Sequence, residues 1–101
     1  MKIDYSKDFE RSLKKLSGKM LDSVRHVIEE VKVAESTKDI TDCKKLIGYR
    51  HIYRIRIGDY RAFFTFHVEI INDTVKFKYL VPRGEAYGKK VKTELNRLDK
   101  E

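Results

Sequence analysis

Tyr53-Arg54-Ile55-Arg56-Ile57-Gly58-Asp59-Tyr60-Arg61-Ala62-Phe63-Phe64-Thr65-Phe66 is the stretch that decides the fold. Apolar and cationic residues alternate up to Gly58-Asp59, and an apolar-rich run follows. Glycine at the first central position suits a two-residue type II′ hairpin turn. That turn places Ile57 opposite Tyr60, Arg56 opposite Arg61, Ile55 opposite Ala62, Arg54 opposite Phe63 and Tyr53 opposite Phe64. Side chains alternate between the faces of a strand. Tyr53, Ile55, Ile57, Tyr60, Ala62, Phe64 and Phe66 therefore share a core-facing side, and Arg54, Arg56 and Arg61 share the other, exposed to solvent. By the same alternation His51 falls on the core side, and His67 falls on the arginine side if no bulge intervenes.

Working outward, Asn72-Asp73 reads as a turn and Thr74 to Val81 as a third strand. Val75, Phe77, Tyr79 and Val81 are assigned to the core, against Lys76, Lys78 and Leu80. Lys76 and Lys78 then join the arginine face. Pro82 ends this strand, and Lys89 to Asp99 reads as a helix with a thin stripe of Val91, Leu95 and Leu98. Towards the N-terminus, Leu46-Ile47-Gly48 leads into the strands and Glu35 to Asp42 is a polar loop. A helix spans about Lys19 to Ala34, with Met20, Val24, Val27, Ile28 and Val31 at helical spacing, and carries His26. Ser17-Gly18 separates it from a shorter helix that Ser6 caps and Phe9, Leu13 and Leu16 line. Lys2 to Tyr5 is a short strand. The whole reads as one α+β domain over residues 1–101.

Lysine and arginine number 23 against 16 aspartates and glutamates, a net charge of +7 in 101 residues. Such a balance favours a polyanion or an acidic protein over a neutral metabolite. Cys43 is the one cysteine, so there is no intrachain disulfide and no Cys/His spacing for zinc. No metal or cofactor is expected. No signal peptide and no apolar run long enough to span a bilayer is present, and a cytoplasmic setting fits.

The arginine face needs an explanation beyond folding. Like charges opposite each other on a sheet cost roughly 0.2–1 kcal/mol per pair, and no acidic residue is seen among these face positions to neutralise them. A solvated basic face without a ligand is one reading. The other is a phosphate site, because guanidinium groups bind phosphate bidentately and stay charged. They also stabilise the extra negative charge of a pentacoordinate phosphorus. Phe63, on the same face, can stack on a base. The loop Val81-Pro82-Arg83-Gly84-Glu85-Ala86-Tyr87-Gly88 is shaped by proline and glycine, and places Arg83 and Tyr87 where both can lean over that face.

The order of these features resembles the RelE/ParE superfamily of toxins from type II toxin–antitoxin systems. The residues that carry the likeness are Leu46-x-Gly48, Tyr53-Arg54-Ile55-Arg56-Ile57-Gly58-Asp59-Tyr60-Arg61 and Arg83-x-x-x-Tyr87. The resemblance implies a mostly antiparallel twisted sheet packed on an N-terminal helical hairpin, with a C-terminal helix. RelE-like members cut mRNA in the ribosomal A site by attack of a 2′-hydroxyl on the adjacent phosphate. A cognate antitoxin binds and blocks them in a hetero-oligomer. On that likeness Arg61 matches the arginine that stabilises the transition state, Arg83 a second catalytic arginine, and Tyr87 the tyrosine that stacks on or deprotonates the substrate. Arg54, Arg56, Phe63, Lys76 and Lys78 would bind RNA. Arg54 and Arg56 stand where well-known RelE-like toxins carry lysines, and an arginine cannot take up a proton. Tyr87 is then the first candidate for proton transfer and His67 another. The alternatives are a ParE-like inhibitor of DNA gyrase and an RNA-binding protein without chemistry.

Overall fold

The computed structural model describes residues 1–57 and 64–100, with Phe64 described by its backbone alone. The expected turn at Gly58-Asp59, the expected pairs of Tyr60, Arg61, Ala62 and Phe63, and the expected roles of Arg61 and Phe63 lie outside the described residues.

The chain begins with β1 (Lys2–Tyr5) and α1 (Lys7–Lys14). Ser6 caps α1 as its sequence position suggests. Its hydroxyl accepts the N–H of Phe9 at 3.0 Å and donates to the carbonyl of Lys78 at 2.6 Å, which ties the helix start to the sheet. Gly18, at φ +60°, takes the left-handed conformation that favours glycine and opens α2 (Gly18–Val33). The polar stretch after α2 folds one 3-10 turn, Thr37–Asp39, with a reciprocal cap between Ser36 and Asp39. A three-residue strand follows, β2 (Cys43–Lys45), which the Lys-rich sequence does not announce. Then come β3 (Ile52–Ile57), β4 (Phe64–Ile71), β5 (Thr74–Pro82), a 3-10 turn at Arg83–Glu85 and α3 (Lys89–Asp99).

The strands form one sheet in the order β1-β5-β4-β3-β2. β1 runs parallel to β5, with Lys2 beside Thr74, and the other neighbours are antiparallel. Asn72 and Asp73 both have positive φ, 50° and 61°, the geometry of a type I′ turn between β4 and β5. The main core lies between one sheet face and α1 and α2. Phe9 meets Phe66 edge-on at 5.4 Å and Phe77 at 5.0 Å, with Val24, Ile28, Val31, Ile55, Ile57 and Val68 buried around them.

Two expectations about the sheet are corrected. The hairpin register places Ile57 opposite Phe64, Arg56 opposite Thr65 and Arg54 opposite His67, in place of the pairs that a two-residue loop requires. The displacement along β4 is from Tyr60 to Phe64, an even number of residues. Phe66 therefore keeps its facing alongside Ile55, while within β3 Arg54 and Arg56 alternate with Ile55 and Ile57 in any register. Arg54 is half-buried, however, whereas Arg56 is exposed. The second correction concerns β5. A register shift between β4 and β5 pairs His67 with Tyr79 and Val68 with Phe77, which leaves Lys78 as an extra residue. This β-bulge reverses the facing beyond it. Leu80 enters the core, whereas Tyr79 and Val81 leave it.

The reversed segment meets α3, which lies on the arginine side of the sheet. Tyr79 donates its hydroxyl to Glu94 at 3.3 Å. Ile52, Ala86 and Leu95 are buried apart from the main core. The end of α3 is held by Asp99, whose carboxylate accepts the backbone N–H groups of Arg50 at 3.0 Å and His51 at 3.1 Å. His51 thus lies just ahead of β3 and is engaged through its backbone by α3. No helix of the described residues is long and apolar enough to cross a membrane.

Candidate active site

Three elements bring the cationic and aromatic side chains together. β3 carries Arg54 and Arg56 outward on its non-core face. β4 brings Thr65 and His67 directly opposite them. Pro82 stops β5, and the 3-10 turn after it carries Arg83 at its first position. Tyr87 follows, and the close approach of Gly88 to the carbonyl of Glu85 keeps this loop tight. A Cβ on Gly88 would sit 3.3 Å from that oxygen, and the Gly88 N–H donates to it at 3.1 Å.

Arg56, Thr65, Arg83 and Tyr87 line a small cleft of about 120 Å³. Arg54 stands beside it and donates Nη1–H to the phenol oxygen of Tyr87 at 2.8 Å. Tyr87 is otherwise open, 58% exposed. Among the described residues, the cleft is lined by two guanidinium groups, one phenol and one hydroxyl, with no carboxylate. Its chemistry is that of an anion site with one group able to carry a proton.

His67 lies on the arginine side, as alternation requires, but it is 0% exposed. Neither ring nitrogen has a hydrogen-bond partner among the described residues, and Arg54 Nε is likewise buried and unpartnered. Burial first, and then the charge of Arg54, pull its pKa down to about 4, so the ring is neutral at pH 7.

Lys76 and Lys78 sit apart from the cleft. Each ammonium lies 4.0 Å from a carboxylate oxygen of Glu69, a buried residue opposite Ile52 and Lys76 on the same face as His67. The arginine face therefore does contain one acidic residue, displaced towards the lysines. Burial raises the Cys43 thiol to about 11, with Arg54 opposing that rise, and the thiol is protonated at neutral pH. Among the described residues no cluster of His, Cys, Asp and Glu is arranged to hold a metal ion.

Sequence reasoning missed Thr65, because the two-residue turn put Arg61 in its place opposite Arg56. A longer connection would have been signalled by the alternation of β4 itself, where Thr65 and His67 interrupt an apolar run at a period of two. The bond between Arg54 and Tyr87 joins residues far apart in sequence, and no local pattern announces it.

No family model matches the chain. It is 34% identical over 88 residues to Toxin RelE3 of Methanocaldococcus jannaschii, an alignment that covers 86% of this chain and 96% of that relative. Among solved structures it is similar to a chain of the RelB–RelE antitoxin–toxin complex from Methanococcus jannaschii, with a TM-score of 0.69 and 30% identity over 85% of this chain and 96% of that one. A chain of the archaeal RelE–RelB complex from Pyrococcus horikoshii OT3 has the same fold, with a TM-score of 0.58 at 18% identity, covering 84% and 97% of the two chains.

Proposed function

Since this chain belongs to the RelE toxin family, we propose that it is the toxin of a RelB–RelE type pair and acts as a ribosome-dependent mRNA endoribonuclease. The observation that carries this reading is the cleft in which Arg56, Arg83, Thr65 and Tyr87 converge. It offers paired cations for a phosphate and a phenol for a proton.

In the proposed reaction the 2′-oxygen of one nucleotide attacks the adjacent phosphorus, and the bond to the 5′-oxygen of the next breaks. The products are a 2′,3′-cyclic phosphate and a free 5′-hydroxyl. Arg56 and Arg83 hold the non-bridging oxygens as their charge grows, and Arg61, matched by resemblance, adds to them. Preorganised cations act most strongly on charge that develops in the transition state. One proton leaves the 2′-hydroxyl and another reaches the 5′-oxygen. Among the residues lining the cleft, Tyr87 is the one suited to exchange a proton. Arg54 occupies one lone pair of its oxygen, which leaves the phenol O–H free to donate.

The partner in this reading is an acidic antitoxin, which the net charge of +7 favours. It would cover the arginine face or displace α3, whose buried apolar contribution is chiefly Leu95. Action on ribosomes would place the protein in the cytoplasm. The test is cleavage of mRNA on purified ribosomes, run beside a gyrase supercoiling assay. Cut mRNA with cyclic phosphate ends supports the reading. Intact mRNA with inhibited supercoiling would replace it with the gyrase-directed alternative.

A further inference from the structure

Tyr87 also lines a second pocket. It occupies about 360 Å³ between the segment that joins β2 to β3 and the start of α3. That volume is at the low end of small-ligand pockets, which run about 300–1,000 Å³. Its apolar wall comes from Leu46, Ile47 and Leu95, and its aromatic groups are Tyr49 and Tyr87. Its charged lining is entirely cationic, from Lys44, Lys45, Arg54 and Lys92. Two larger pockets elsewhere on the protein differ in this respect. One includes Asp22, Glu30 and Asp42, and the other includes Asp8, Glu85 and Glu94. Among the described residues, the cleft and this pocket are both lined without a carboxylate, and both are walled by Tyr87.

Ile47 makes the pocket harder to explain as a by-product of folding. It is 92% exposed. It sits at the second position of a tight turn, closed by the Tyr49 N–H on the Leu46 carbonyl at 3.4 Å, with Gly48 at φ +89°. Such a turn takes almost any residue at Ile47's position, and polar ones fit water best. An isoleucine there adds nothing to the core, yet it extends the apolar wall of a cavity ringed by ammonium groups.

We infer that this pocket is a nucleotide subsite, holding the base of a nucleotide that neighbours the phosphate in the cleft, with Lys44, Lys45 and Lys92 on its backbone. The inference rests on the endoribonuclease reading for which strand occupies it, though not for the binding itself. A nucleotide has the chemistry that the lining asks for: a flat apolar body for Tyr49, Ile47 and Leu95, and an anion at the rim. Stacking on an aromatic ring contributes about 1–3 kcal/mol per base. The shared Tyr87 links the two sites, so that a base in this pocket and a phosphate in the cleft belong to neighbouring nucleotides of one strand.

The experiment titrates the full chain with adenosine 5′-monophosphate, uridine 5′-monophosphate and inorganic phosphate, and follows the side-chain methyl resonances of Leu46, Ile47 and Leu95. The nucleotides are expected to shift all three methyls in a saturable way, and phosphate alone to leave them in place. Ile47→Asp, an exposed substitution that leaves the core intact, is expected to weaken nucleotide binding by tenfold or more. Absence of nucleotide-dependent shifts, or shifts equal to those from phosphate, would overturn the subsite. So would shifts produced by an acidic leucine-containing peptide and not by nucleotides, which would make the pocket a protein-docking site. Ribosomal mRNA cleavage by wild type and Ile47→Asp is measured alongside. Nucleotide binding in a chain that cuts no mRNA would sustain the subsite and sink the nuclease reading. Unaltered cleavage and codon preference in Ile47→Asp, with no nucleotide bound by wild type, would do the reverse.

Discussion

Arg54 donates a 2.8 Å hydrogen bond to the phenol oxygen of Tyr87, and so binds the middle of the sheet to the loop that precedes the last helix. The guanidinium thereby helps set the position of the Tyr87 ring. A misplacement of about 1 Å can cost on the order of 10²-fold in rate. Arg54→Ala is expected to slow single-turnover cleavage on ribosomes by about 10–10²-fold. The loss should shrink when Tyr87 is already Phe, because the bonded oxygen is then absent. A double-mutant cycle measures this coupling, and additive losses would show that the bond does not serve catalysis.

Arg83 and the sequence-matched Arg61 are expected to act on the transition state. Replacing either with Ala should lower the cleavage rate by about 10²–10³-fold, the scale for removing one preorganised donor. Ribosome binding should fall far less, since other cations remain. Tyr87→Phe separates two roles for the ring. If the hydroxyl moves a proton, the Phe variant is nearly as slow as Ala. Retained activity in Phe and loss in Ala would assign stacking alone.

His67 predicts a pH dependence of stability. Its pKa is lowered from 6.5 in the unfolded chain to about 4 in the fold. Between those values the unfolded chain binds the extra proton and the folded one does not. Stability therefore rises with pH through this window, and falls as pH drops from about 6.5 to 4. The effect is on the order of 3 kcal/mol if His67 acts alone. Urea unfolding across this range should show the slope, and His67→Leu should flatten it. An equal slope in the variant would assign the effect to other groups.

Asp99 predicts how α3 detaches. Burial works to raise its pKa, but the N–H groups of Arg50 and His51 and the charge of Arg50 outweigh that and hold it low. The carboxylate sits at the last position of α3, where the helix dipole disfavours negative charge. It stays because it satisfies two backbone donors. Asp99→Ala leaves them without that partner, at about 1–3 kcal/mol. Amide exchange in residues 89–99 should speed up ahead of the rest of the sheet. If α3 must move for the antitoxin to bind, the variant should bind it more tightly. In both proteins the affinity should fall with added salt.

The limits of the sequence reading follow from the range of each signal. Alternation over Tyr53 to Ile57 assigned Ile55 and Ile57 to the core and Arg54 and Arg56 to the opposite face, and both held because alternation within one strand does not depend on its register with the next. Ser6, Phe9 and the helix from Lys89 were legible because caps and 3.6-residue spacing are local. Tyr79 and Leu80 were misassigned, because a bulge at Lys78 depends on how β5 meets β4 and not on β5's own composition. Glu69 beside the lysines, Thr65 opposite Arg56 and the Arg54–Tyr87 bond all depend on pairing across strands or elements. Arg83 and Tyr87 were legible as candidates from their loop and family spacing, and the cleft adds their proximity to Arg56.

The parallel pairing of β1 with β5 also governs how the protein comes into being. Lys2 pairs with Thr74 and Tyr5 with Phe77, so the first strand has no neighbour until most of the chain exists. The helical hairpin can form from local contacts during synthesis, but closing so long a loop comes late. Arg83 and Tyr87 are translated later still. A growing chain therefore holds neither a complete sheet nor a complete cleft until residues 74–87 have been made. For a toxin proposed to act on ribosomes, this order of assembly spares the ribosome that is making it.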